Sequence, residues 1–197
     1  MKRLFTIASM IAILILGVLP VHAAVYTYKP WDEDLGDLDH YKAYSWRVGW
    51  THTSEIIKSA SLTFYGIYDW EAETNDILWV NLLNTPPTGT NGIRVYDDNQ
   101  NPGNYFNAWS GGSSLVGTWT DPLGGLPKDT ITFNVNAALL NTYAADGVFG
   151  FGIDPDCHYY NDKIQLTVVT DTAIPEPGTM ILVGLGLVGL RAVRRRK

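Results

Sequence analysis

Ser61-Leu62-Thr63-Phe64-Tyr65-Gly66-Ile67 alternates, placing Leu62, Phe64 and Gly66 on one face and Ser61, Thr63 and Tyr65 on the other. A period of two is the signature of a strand with one face buried. The same pattern recurs on both sides of this stretch. Thr130 to Val135 turns Ile131, Phe133 and Val135 inward, and Lys163 to Thr170 turns Ile164, Leu166 and Val168 inward. In Val148 to Ile153, Phe149, Phe151 and Ile153 alternate with Gly150 and Gly152. Tyr44 to Trp50, Ile77 to Leu82, Ile93 to Tyr96 and Leu115 to Trp119 are further strand candidates. Between them stand turn formers: Pro86-Pro87-Thr88-Gly89, Asn91-Gly92, Asn101-Pro102-Gly103-Asn104, Gly111-Gly112 and Gly124-Gly125. Only Asn136 to Asp146 reads as a helix, with Asn136 as its cap and Gly147 as its stop. About eight short strands with frequent turns predict an all-β, antiparallel β-sandwich, jelly-roll-like, with one short helix.

The chain has 197 residues, 46% apolar and only 17% charged, enough to build a core and too apolar for a disordered polymer. Seven of its 14 basic residues lie near the termini: Lys2, Arg3, Arg191, Arg194, Arg195, Arg196 and Lys197. Nineteen of its 20 acids lie between Ala24 and Ile174, against seven basic residues there, so the body carries −12. That balance argues against a nucleic-acid surface and points to cations or neutral polymers as partners.

The ends read as addresses. Lys2 and Arg3 precede an apolar run from Leu4 to Leu19, then Pro20 and Val21-His22-Ala23, which predicts a signal peptide over residues 1–23 removed by signal peptidase. The body is expected over 24–173. Beyond it, Pro175-Glu176-Pro177 leads into an apolar stretch, Gly178 to Leu190, and the cluster Arg194-Arg195-Arg196-Lys197. Thirteen helical residues span about 20 Å, short of a hydrocarbon core of about 30 Å, so the segment is a marginal membrane helix with its basic end cytoplasmic. Over residues 174–197 the arrangement resembles the PEP-CTERM sorting signal. The resemblance implies a Gram-negative bacterium, processing by exosortase with Pro175, Glu176, Pro177, Arg194, Arg195 and Arg196 as the sorting motif, and release to the cell surface or an exopolysaccharide matrix such as a biofilm. Leu38-Asp39-His40, Ile67-Tyr68-Asp69-Trp70 and the run from Asp154 to Asn161 also look like segments of other secreted PEP-CTERM proteins, which implies a shared fold and no activity.

Cys157 is the single cysteine, so no internal disulfide can form, and a buried thiol is expected. A zinc site gains little support from Cys157, His158 and the scattered His40 and His52. Asp154, Asp156, Asn161 and Asp162 gather hard oxygen donors between two strands and form the candidate calcium site, with an ordinary Asx turn as the competing reading. The five acids in Asp32 to Asp39 are either a solvated segment or a second calcium loop. Tyr105, Phe106 and Trp109, in an Asn/Gly-rich loop, are the candidate carbohydrate platform, whereas Trp46, Trp50, Trp70 and Trp79 read as core. Hydrolase and metalloprotease motifs are absent. The expected function is a non-enzymatic exported surface or matrix protein that binds calcium and exopolysaccharide. The alternative is a polysaccharide hydrolase or lyase on the same sandwich.

Overall fold

The alternating segments become ten strands in a computed structural model that describes residues 23–70, 76–99, 103–121 and 123–171. In chain order they are β1 (Ala23–Tyr28), β2 (Lys42–Gly49), β3 (Ile56–Asp69), β4 (Leu78–Leu83), β5 (Ile93–Asp97), β6 (Ser113–Trp119), β7 (Asp129–Val135), β8 (Val148–Pro155), β9 (Tyr159–Tyr160) and β10 (Lys163–Asp171). One helix, α1 (Ala137–Tyr143), lies between β7 and β8. The first sheet runs β1-β10-β3-β7, with β9 paired to the end of β3, and the second runs β5-β2-β8-β4-β6. With the short β9 and the edge strand β5 set aside, the first and last strands are neighbours, and the remaining orders, β1-β10-β3-β7 and β2-β8-β4-β6, are those of a jelly roll.

The inward positions of both sheets fuse into one core. Leu62, Phe64, Phe133, Ile164, Leu166 and Val168 come from the first sheet, and Trp46, Val80, Leu82, Phe149, Phe151 and Ile153 from the second. Each such side chain contributes about 1.5–3 kcal/mol by leaving water. Asn136 caps α1 as its sequence predicts, its side chain accepting the N–H of Leu139 at 3.0 Å, and Gly147 ends the following 3-10 turn at φ +88°.

Two features depart from simple alternation. Gly66 does not continue the inward row of Leu62 and Phe64. It sits at φ +62° in a bulge where the pairing of β3 with β7 slips between Tyr65 and Ile67, so Ile67 and Asp69 take the inward positions instead. A Cβ at Gly66 would meet the Asp162 carboxylate at 2.0 Å, so glycine is required there for space as well as for backbone. On the second sheet, Gly150 and Gly152 do not face solvent: Cβ atoms there would lie 2.6 Å from Pro86 and 2.5 Å from Phe106. The loop after β5 folds back over this outer face, laying Phe106 on Gly152 beside Ala43 and Leu83 in a second apolar cluster. The expected signal peptide, apart from Ala23, and the whole sorting segment 174–197 lie outside the described residues.

Candidate functional site

Asp154 belongs to a strand, because β8 continues to Pro155. Its alternation turns the carboxylate to the outer face of the second sheet, where the folded-back loop leaves it 1% exposed. Oδ2 accepts the N–H of Tyr105 at 2.6 Å, while Oδ1 is buried with no hydrogen-bond partner among the described residues. Burial, with smaller contributions from the charges of Asp98 and Asp156, pushes this carboxyl up to about 7. Asp156 is pushed up to about 6, again by burial first and then by Asp98 and Asp76. The charged neighbours acting on both groups are all acids. Asp98 and Asp156 thus act on Asp154 at the end of β8 as charges, without their carboxylate oxygens closing into a ligand shell among the described residues.

The remaining two members of the expected calcium set go elsewhere. Asp162 pairs with Lys128 at 2.6 Å beside the Gly66 bulge, and its N–H donates to the Tyr65 carbonyl. Asn161 donates to the Gly36 carbonyl at 3.1 Å. The set is thus split: Asp154 and Asp156 remain near each other at the end of β8, where both feel the charge of Asp98, which sequence reasoning missed. The signal for it was present, since Asp97-Asp98-Asn99 opens the same Asn/Gly-rich loop that covers Asp154. In the acidic N-terminal segment, Glu33 pairs with Lys29, which holds its carboxyl below the usual range, and Asp34 accepts the N–H of Gly36.

Cys157 is buried and donates to Asp69 Oδ1 at 3.1 Å. Burial and the adjoining carboxylate push the thiol well up, so it remains protonated. Asp69 is itself fully buried and pushed up to about 6, by burial first and then by the charge of Asp76. Tyr159, next to them, is raised by the same burial and the same acids. This cluster lies inside the fold, and its thiol chemistry is that of a hydrogen-bond donor.

The expected aromatic platform is divided. Phe106 is completely buried on Gly152 and offers no face to a ligand, because the loop uses it as the plug of the second apolar cluster. Tyr105 and Trp109 are half-buried around it, packed with Tyr96 at ring separations of 5.3 and 5.7 Å. Trp70, read as core from the sequence, is instead 63% exposed. The bulge at Gly66 turns Asp69 inward and so leaves Tyr68 and Trp70 facing out. There Tyr160 of β9 stacks on Tyr68 at 5.3 Å, and Trp70 lies 5.9 Å from Tyr160. The Tyr68-x-Trp70 spacing was visible in the sequence, but its phase was not.

Comparison with known proteins adds an address to this architecture. The PEP-CTERM protein-sorting motif matches residues 173–197. A jelly-roll body followed by that motif defines an exported protein, processed by exosortase and held in the membrane transiently. No curated protein matches the chain. Among solved structures, a chain of tomato aspermy virus is similar at 12% identity over 90% of this chain and 97% of that one, with a TM-score of 0.35, a likeness too loose to bear on function.

Proposed function

We propose that this is a non-enzymatic surface or matrix protein of a Gram-negative bacterium, whose β-sandwich body is delivered outside the cell by exosortase processing near Pro175-Glu176-Pro177. The observation that carries the reading is the sorting motif at 173–197, beginning two residues after the last strand of the sandwich. Intact mass of the surface-exposed protein from its native host tests it. The expected product lacks the Arg194-Arg195-Arg196-Lys197 cluster; retention of Lys197 on exposed protein would make the segment a plain anchor.

Two binding functions complete the reading. Calcium is bound at the end of β8, supported by the buried Oδ1 of Asp154, which has no hydrogen-bond partner among the described residues, and by the acidic charges of Asp98 and Asp156 acting on it. Binding confined to the folded state stabilises it by about 2.7 kcal/mol at a hundredfold excess over Kd. Melting of the full chain should rise with calcium over EDTA, and rise less with magnesium, which demands a tighter octahedron. Equal effects of both ions, persisting in Asp154→Asn, would assign the change to charge screening. Exopolysaccharide is bound at the exposed Trp70, whose ring offers a flat face to sugars beside the half-buried, mutually stacked Tyr68 and Tyr160. Trp70→Ala should abolish retardation of the protein in gels containing the host polysaccharide, while leaving melting unchanged.

A further inference from the structure

His40 and His158 are far apart in sequence, and one backbone bridge brings them together. Leu38 and Tyr159 exchange hydrogen bonds, each N–H donating to the other's carbonyl at 3.0 Å. This short antiparallel contact ties the segment between β1 and β2 to the turn between β8 and β9, and sets Asp39 and His40 beside His158. The two imidazoles meet edge to face at 4.4 Å, and His158 Nε2 lies 3.5 Å from Asp39 Oδ1. One donor atom from each of the three residues lies within 4.8 Å of the other two. His40 Nε2 is shielded from solvent and has no hydrogen-bond partner among the described residues. A ring nitrogen in that position has lost its water without a protein group in exchange.

The carboxylate is already held in place. Asp39 Oδ1 accepts the N–H of Tyr41 at 3.0 Å, and the Asp39 N–H donates to the Tyr44 hydroxyl, which donates in turn to the Asp37 carbonyl. Two imidazoles and one carboxylate are the donor set of zinc and its neighbours in the transition series, whereas calcium takes oxygen alone. In a tetrahedral zinc site, bonds of about 2.0–2.2 Å put the donor atoms about 3.4 Å apart. Half-exposed side chains on a fixed backbone can close that remaining gap by small rotations.

We propose that Asp39, His40 and His158 form a transition-metal site that takes zinc, with its fourth position open to water. The ion would clamp the acidic segment after β1 onto the β8–β9 turn. The site shares no residue with the calcium or polysaccharide sites and does not depend on them. The other gathering of metal-type side chains, Asp69, Asp76 and Cys157, is a poor rival because its thiol is held protonated by burial and by Asp69.

The test uses the untagged full chain in mild detergent, stripped with EDTA and titrated with zinc against a chromophoric chelator. One equivalent should bind at micromolar protein. His40→Gln and His158→Gln should each weaken binding by at least the ~10–100-fold that follows loss of an outer-shell partner. Asp39→Asn should weaken it too, while His52→Ala and Cys157→Ser should not, since His52 sits apart, stacked on Tyr26 and paired with Glu55. Cobalt should give the visible bands of a four-coordinate site without thiolate charge transfer. A measurement without substitutions guards against misfolded variants: in the wild-type chain, zinc should protect His40 and His158, but not His52, from diethylpyrocarbonate. Absence of stoichiometric binding, binding that survives loss of both histidines, or binding lost in Cys157→Ser would each overturn the proposal.

Discussion

The first sheet covers the core on one side only, whereas the second is covered on both. Along β10, buried and half-exposed residues alternate strictly, and the outer row of β3 presents Ser61, Thr63 and Tyr65. Along β8, seven consecutive residues from Phe149 to Pro155 are buried. The difference lies in what fills the outer positions. Gly150 and Gly152 leave hollows that Pro86, between β4 and β5, and Phe106, after β5, occupy, so these two connections cover the outer face of the second sheet. A strand reading Phe-Gly-Phe-Gly therefore need not have a solvent face; glycine there is the imprint of a neighbour pressed against the backbone.

If that contrast holds, Phe106→Ala should cost about 3–5 kcal/mol, as a full core deletion does, seen as a lower denaturant midpoint at unchanged m-value. A loss near zero would return the loop to the surface. Next comes the pH dependence of the buried acid under the loop. Asp154 has its pKa raised to about 7, so between pH 4 and 7 the folded state retains a proton that the unfolded chain has released. Stability in EDTA should therefore fall as pH rises through this window, by on the order of 2 kcal/mol from pH 5 to pH 7. Asp69 and Asp156, both raised to about 6, act in the same direction. Urea titrations at the two pH values measure it, and Asp154→Asn should flatten the slope.

A smaller effect is expected for Gly152→Ala, about 1–3 kcal/mol of overpacking against the Phe106 ring. Combined with Phe106→Ala, its added cost should vanish, because the two residues share one contact. Additive losses would mean that the glycine matters for some other reason. Smallest of all, Thr63→Ala on the open face of the first sheet should stay within about 0.5 kcal/mol, since its hydroxyl bonds the exposed Thr132 at 3.0 Å.

Most strands were legible because the core-facing residues follow a chemical period, and α1 was legible because Asn136 and Gly147 mark its ends. What escaped was whatever depends on a partner distant in sequence. β1 gains its identity from β10; β9 is two residues long and exists through Tyr68 and Asp69. The bulge at Gly66 shifts the phase of β3, moving Trp70 from expected core to surface, and no local pattern announces the shift. At the candidate sites, residue types were readable and groupings were not. Asp154 and Asp156 were recognised, but the charge of Asp98 reaches them only through the fold, while Asn161 and Asp162 are taken up by Gly36 and Lys128.

The pairing of Ala23 with Asp171 has a mechanical meaning. Both ends of the body leave from one corner, and the strand that continues toward the sorting motif is β10, bonded to β1 on one side and β3 on the other. Tension applied along a C-terminal tether, with drag acting on the rest of the sandwich, loads both ladders in shear, so many hydrogen bonds must yield together. Tension on the N-terminal end would load only the one ladder that the edge strand β1 shares with β10. A body tethered through β10 is gripped by a strand bonded on both sides, where the other end of the body is an edge.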